Sequence, residues 1–74
     1  MKTNNTTNIN TNETKADLLA REMFLNTAIT CEQTNLDNAA SRNAPAWVIN
    51  RYLDTIRGYL NELASVERRL SVLA

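Results

Sequence analysis

The chain has 74 residues with eight acidic and eight basic side chains, so it forms one domain at most and carries a formal net charge of zero. Neutrality argues against a partner held mainly by charge, such as duplex nucleic acid or an anionic membrane surface. The absence of histidine and the single cysteine, glycine and proline argue against metal sites, internal disulfides and β folds, and predict a small all-α protein with no enzymatic activity and no cofactor.

Residues 1–13 are rich in asparagine and threonine and contain one aliphatic side chain, Ile9. Such a segment buries too little apolar surface to offset the backbone entropy lost on ordering, about 1–2 kcal/mol per residue. We therefore predict a disordered arm over residues 1–13. This arm lacks the apolar stretch of a signal peptide, and no run in the chain approaches the ~20 apolar residues that span a bilayer. We expect a cytoplasmic protein, in a bacterium or in a virus-infected host cell.

A first helix is predicted over residues 15–40, starting at a capping box in which Thr14 and Asp17 satisfy each other's backbone amides. At about 100° per residue, four aliphatic side chains form one narrow stripe along this helix: Leu18, Leu25, Ile29 and Leu36. A second stripe runs along the other side: Ala16, Ala20, Met23, Phe24, Thr27 and Cys31. One neighbouring helix cannot cover both stripes, so the pattern predicts self-association and places Cys31 in a core.

A turn is predicted at residues 41–44, followed by a second helix over 44–73. Pro45 suits the first turn of a helix, and Asn43 before it is a candidate N-cap. Numbering heptads from Ile49 as position a gives an apolar a series of Ile49, Ile56, Leu63 and Leu70, and an apolar d series of Tyr52, Tyr59, Val66 and Leu73. The e series contains Leu53 and Leu60 and is interrupted by Glu67. Apolar residues at a, d and e cover a wider face than one neighbouring helix buries.

The two predicted helices have similar lengths and a short connection, which favours an antiparallel hairpin. A hairpin of about 60 residues has a marginal core. We therefore expect copies of the chain to associate into a helix bundle, as a dimer or a higher oligomer. The expected oligomer core comprises Leu18, Leu25, Ile29, Ile49, Tyr52, Leu53, Ile56, Tyr59, Leu60, Leu63, Val66 and Leu70.

Trp47 does not follow the heptad pattern. It lies at position f, about 160° around the helix from Ile49, and Arg51 lies one turn later on the same side. An outward tryptophan beside an arginine is typical of an interaction hot spot and of cation–π pairs. The alternative, that Trp47 folds over the turn or packs on another copy, stays open. The candidate partner-binding or ligand-binding residues are Trp47, Arg51, Arg42 and Asp54.

The sequence contains no recognisable catalytic set, and it predicts a self-associating adaptor or inhibitor that acts by stoichiometric binding to a protein partner. In size and composition the chain is similar in kind to small phage-encoded accessory proteins, some of which inhibit host enzymes or sequester immune signals. One alternative is an oligomeric binder that sequesters a nucleotide-like signal between subunits or at the start of the second helix, where free amides favour phosphate. Another is a purely structural assembly protein.

Overall fold

The computed structural model describes residues 13–73, which form two α-helices and no strand. Helix α1 spans Lys15–Ser41 and helix α2 spans Ala46–Leu73. The helices pack against each other along their length, which confirms the predicted all-α hairpin. Residues 1–12, which make up most of the predicted arm, lie outside the described residues. Neither described helix combines the length and the apolar character needed to cross a bilayer.

The start of α1 is fixed by the predicted capping box. Thr14, in an extended conformation before the helix, accepts a hydrogen bond at its Oγ1 from the Asp17 amide at 3.1 Å. In return, Asp17 Oδ2 accepts a hydrogen bond from the Thr14 amide at 3.3 Å. Two amides that would otherwise lack partners are thus satisfied, and the negative charge of Asp17 lies favourably in the first turn of the helix dipole.

The end of α1 is a Schellman motif built on a left-handed residue. Asn43 has a φ of 58°, a conformation that asparagine tolerates better than most residues. Its amide donates to the Ala40 carbonyl at 3.1 Å, and the Ala44 amide donates to the Ala39 carbonyl at 3.0 Å. This is the bonding pattern of a Schellman C-terminus. The prediction that Asn43 caps the second helix is therefore wrong, because Asn43 ends the first.

Helix α2 starts directly after Pro45. The Pro45 carbonyl accepts hydrogen bonds from the amides of Val48 and Ile49, at 3.0 and 3.2 Å. Pro45 therefore precedes the helix rather than lying in its first turn, and its ring fixes φ where the chain enters α2. The connection between the helices is the four residues 42–45, short enough to hold them antiparallel.

The core of the hairpin is small and apolar. Five of the described side chains are buried, all of them aliphatic: Leu18, Leu25, Ile29, Ile56 and Val66. Leu18, Leu25 and Val66 contact one another, and the half-buried Tyr59, Leu63 and Leu70 pack around them. The first stripe of α1 is therefore the face that meets α2, and the second stripe points the opposite way.

Two ion pairs near the open end of the hairpin join α2 to α1 and to the segment just before α1. Arg21 Nε donates to Glu62 Oε2 at 2.6 Å, and Arg69 Nη1 donates to Glu13 Oε1 at 3.0 Å. These side chains remain between one third and three fifths exposed. Solvent screening limits such pairs to less than about 1 kcal/mol each, so they fix the register of the two helices more than they stabilise the fold.

Candidate functional site

Trp47 and Arg51 lie together on an exposed groove at the start of α2. The groove has a volume of about 320 Å³ and is lined by Trp47, Val48, Arg51 and Tyr52. Trp47 is 63% exposed, so within the single chain it does not fold back over the turn. The four residues occupy consecutive turns of one helix, and no other element among residues 13–73 lines the groove. A ligand or partner can therefore approach it from solvent.

The lining residues match the chemistry of a protein interaction site. Tryptophan, tyrosine and arginine are the residue types most enriched in binding hot spots, and the groove contains one of each. Its volume falls at the lower end of the range of small-molecule sites, roughly 300–1,000 Å³. Such sites usually enclose most of the ligand surface, whereas this groove is open along one side. The geometry consequently suits a protein partner better than an enclosed small molecule.

The other two candidate residues are not brought into the groove. Asp54 accepts a hydrogen bond from Arg57 Nη1 at 2.9 Å, three residues later on the same helix. Arg42 lies at the end of α1, where its backbone amide donates to carbonyls of the last turn. Within residues 13–73, no side-chain hydrogen bond or ion pair joins Arg42 to the groove. Arg51 is consequently the charged residue that lines the site.

Tyr52 and Val48 belong to the groove, although the heptad pattern predicts Tyr52 in the oligomer core and gives no role to Val48. Both are half-buried, so each presents one edge to the hairpin and another to the groove. The signal in the sequence was the spacing 47, 48, 51, 52, which places four side chains on adjacent turns of a helix.

A second exposed surface is the second stripe of α1, which we call the outer face: Ala16, Ala20, Met23, Phe24, Thr27 and Cys31. All six residues are exposed, with Met23 at 73%. Cys31 is exposed in the single chain, because the hairpin covers only one of the two stripes. Its burial in a core stays a prediction that depends on a second copy. The guanidinium of Arg21 lies 5.1 Å from the centre of the Phe24 ring, a cation–π contact at the edge of this face.

The residues of the expected oligomer core divide into three groups by exposure. Leu18, Leu25, Ile29, Ile56 and Val66 are buried; Ile49, Tyr52, Tyr59, Leu63 and Leu70 are half-buried; Leu53 and Leu60 are exposed. The two exposed leucines are the apolar members of the e series, at 40% and 49% exposure. The hairpin thus covers the a and d series of α2 except Leu73, which is 49% exposed, and leaves the two e-series leucines uncovered.

Among the described residues, no three acidic or cysteine side chains lie close enough together to hold a metal ion. Comparisons with protein-family models, with curated proteins and with solved structures find no match to this chain. The exposed groove, the outer face and the e-series leucines are surfaces that residues 13–73 leave open to solvent.

Proposed function

We propose that the protein is a non-enzymatic, self-associating adaptor or inhibitor that acts by stoichiometric binding, with the Trp47 groove as its partner site. The observation that carries this proposal is the exposure of Trp47 beside Arg51 and Tyr52. A tryptophan left in water forgoes a large gain from burial, and its two neighbours are the residue types that share hot spots with it. A partner that covers the groove recovers that apolar burial.

Self-association is supported by the apolar surface that one hairpin leaves uncovered. The e-series leucines and the large side chains of the outer face remain exposed, while five of the described side chains are buried. Exposed apolar patches of this kind mark interaction sites. Small helical folds of this size commonly gain stability by association.

The groove is tested by the paired substitution Trp47→Ala and Arg51→Ala. Both side chains project away from the hairpin contact, so we expect the free energy of unfolding to change by less than ~0.5 kcal/mol, whereas truncating a buried tryptophan costs about 3–5 kcal/mol. Chemical denaturation measures this difference. We expect the double variant, used as bait in a host lysate, to lose a stoichiometric partner that the wild type retains.

The matched control is Val72→Ala with Arg68→Ala. It removes an exposed apolar side chain and an exposed arginine from the same helix, outside the groove. Equal partner capture by wild type, groove variant and control would remove the groove from the proposal. A loss of several kcal/mol of stability in the groove variant would show that Trp47 is a packing residue.

A second candidate function is sequestration of a nucleotide-like small molecule. It is favoured by the groove itself, where Trp47 can stack on a base and Arg51 can bind a phosphate. Because Trp47 is the chain's single tryptophan, its fluorescence reports directly on occupancy of the groove. We expect nucleoside phosphates or cyclic dinucleotides to quench that fluorescence and to raise the melting temperature if this function holds. Oligomers with neither a captured partner nor a bound nucleotide would leave structural assembly as the function.

The same proposal locates the protein in the cytoplasm, of a bacterium or of a virus-infected cell. Its support is Cys31, an exposed free thiol of the kind that reducing compartments preserve. Fractionation of the native host, followed by alkylation of free thiols, tests both the compartment and the redox state of Cys31. Recovery of a Cys31 disulfide would contradict the location.

A further inference from the structure

One face of α2 has the spacing of a helix-pairing surface, although α1 does not cover it. Six residues along it are separated alternately by four and three positions, and we call them the α2 side face: Leu53, Arg57, Leu60, Ala64, Glu67 and Ser71. All six are exposed. At about 100° per residue, their mean direction lies about 100° around α2 from the side chains that contact α1. The alternating spacing is that of residues that meet across a helix pair.

The α2 side face is complementary to itself in an antiparallel arrangement. In one register three kinds of pair meet across a two-fold axis: Leu53 with Ser71, Arg57 with Glu67, and Leu60 with Ala64. Each leucine meets a small side chain and each arginine meets a glutamate, so both size and charge match. Under two-fold symmetry every pair occurs twice in the dimer. Compatible contacts therefore extend along the whole length of the α2 side face.

The charged residues of the α2 side face form only weak ion pairs, or none, with described residues of their own chain. Arg57 binds Asp54 on its own helix, but both side chains are about 70% exposed, and such a pair contributes little. Glu67, the residue that interrupts the apolar e series, makes no salt bridge with any residue in 13–73. A carboxylate within an apolar series opposes burial unless it meets a cation. In the antiparallel register, Arg57 of a second copy lies level with Glu67.

We propose that two copies of this chain pair antiparallel through the α2 side face. This inference rests on the self-association proposed above and deepens it by naming the surface and its occupant. Because the α2 side face points about 100° away from the contact with α1, helix α2 can pack against α1 and against a second copy at the same time, as in a four-helix bundle. Trp47 points about 120° away from the side face, so each dimer presents two open grooves. At 1.5 Å per residue these are about 45 Å apart along the helix axis, on opposite ends of the dimer.

The test reverses the charge of Arg57 and of Glu67, the two members of the proposed ion pair. Light scattering and sedimentation of the full chain measure the mass of the assembly. Glu67→Arg alone and Arg57→Glu alone each create two like-charge contacts per dimer, and we expect each to weaken dimerisation by about tenfold or more. Combining both substitutions in one chain restores opposite charges and should restore the dimer. Mixing the two single variants should give heterodimers, because every pair in the mixed dimer is again opposite in charge.

The matched control is Arg42→Glu, an exposed charge reversal in the connection between the helices and therefore outside the α2 side face. We expect it to leave the dimer unchanged. If a single variant loses its fold together with the dimer, circular dichroism of the mixture replaces mass as the readout, since heterodimer formation should restore helicity. Restored dimerisation of the doubly substituted chain cannot result from a restored ion pair within α2, because Arg57→Glu still places an acidic side chain next to Asp54.

Three results would overturn the proposal, and they separate it from the proposed function. A folded, monomeric wild type at high concentration would remove both self-association and this interface. A wild-type oligomer that neither single variant weakens would place self-association on another surface and leave the proposed function standing. Single variants that dissociate without rescue, either in the double variant or in the mixture, would show that residues 57 and 67 do not meet.

Discussion

Helices α1 and α2 have nearly the same length, 27 and 28 residues, but they distribute their apolar side chains differently. Those of α1 lie on two opposite faces, of which the hairpin buries one. Most of those of α2 lie on one broad stripe, of which the hairpin buries the central part and leaves one edge exposed, while Trp47 and Val72 lie off this stripe. The difference shows that a two-helix fold can use only part of the apolar surface that its sequence provides. The apolar surface that stays exposed includes the outer face of α1 and the α2 side face.

The two helices also differ in how their starts are fixed. A side-chain capping box holds the beginning of α1, whereas α2 begins after a proline that follows directly on the C-terminal motif of α1. The start of α2 therefore depends on how α1 ends. This places the groove at Trp47 within two residues of the turn, where the geometry of the connection sets its orientation.

The largest expected effect compares a buried and an exposed leucine of α1. Leu25 is completely buried and Leu19 is 44% exposed. We expect Leu25→Ala to cost about 2–5 kcal/mol, since it removes buried methylenes and leaves a cavity. Leu19→Ala should cost less than about 1 kcal/mol, because part of that side chain is already in water.

Urea denaturation of both leucine variants at one protein concentration measures this difference; the concentration must match because association contributes to apparent stability. A loss of this size in Leu25→Ala is comparable to the whole stability of a small domain, so that variant can be largely unfolded in buffer. Equal losses in the two variants would show that the hairpin does not bury Leu25 in preference to Leu19.

A smaller effect is expected from two valines of α2. Val66 is 4% exposed and Val72 is 85% exposed. Val66→Ala should cost about 1.5–2.5 kcal/mol, from two lost methyl groups and a partial cavity. Val72→Ala should be neutral or slightly stabilising, since alanine has the higher helix propensity. Thermal unfolding of the two variants checks the order, and a destabilised Val72→Ala would mean that the last turn of α2 is covered by another copy.

Periodicity alone predicted much of this hairpin. Helical spacing predicts the narrow stripe of Leu18, Leu25, Ile29 and Leu36; the first three are buried and Leu36 is half-buried. The capping box at Thr14 was predicted because its two members stand three residues apart. These features depend on residues close in sequence, for which spacing determines geometry.

Spacing alone does not predict which of two similar apolar surfaces the hairpin buries. Burial of Cys31 is predicted from its place on the second stripe of α1 and from the usual burial of free cysteine, whereas only the packed hairpin shows which stripe α2 covers. The groove at Trp47 was recognised by its tryptophan and arginine, but the contribution of Val48 depends on how deeply α2 sits against α1. Neither the partner of the groove nor its chemistry follows from spacing.

The smallest expected effect concerns the residue that divides the two helices, Asn43, whose φ of 58° assigns it to the end of α1. The two assignments of this residue make opposite predictions for two substitutions. Glycine enters the left-handed region without steric cost, so Asn43→Gly should change stability by less than about 0.5 kcal/mol. Serine is as good as asparagine at an N-cap but lacks its tolerance of left-handed backbone, so Asn43→Ser should cost about 1 kcal/mol. If Asn43 instead capped α2, serine would be the neutral substitution and glycine the slightly costly one. Unfolding midpoints of the two variants, measured side by side at one concentration, therefore show by their order alone which helix this asparagine serves.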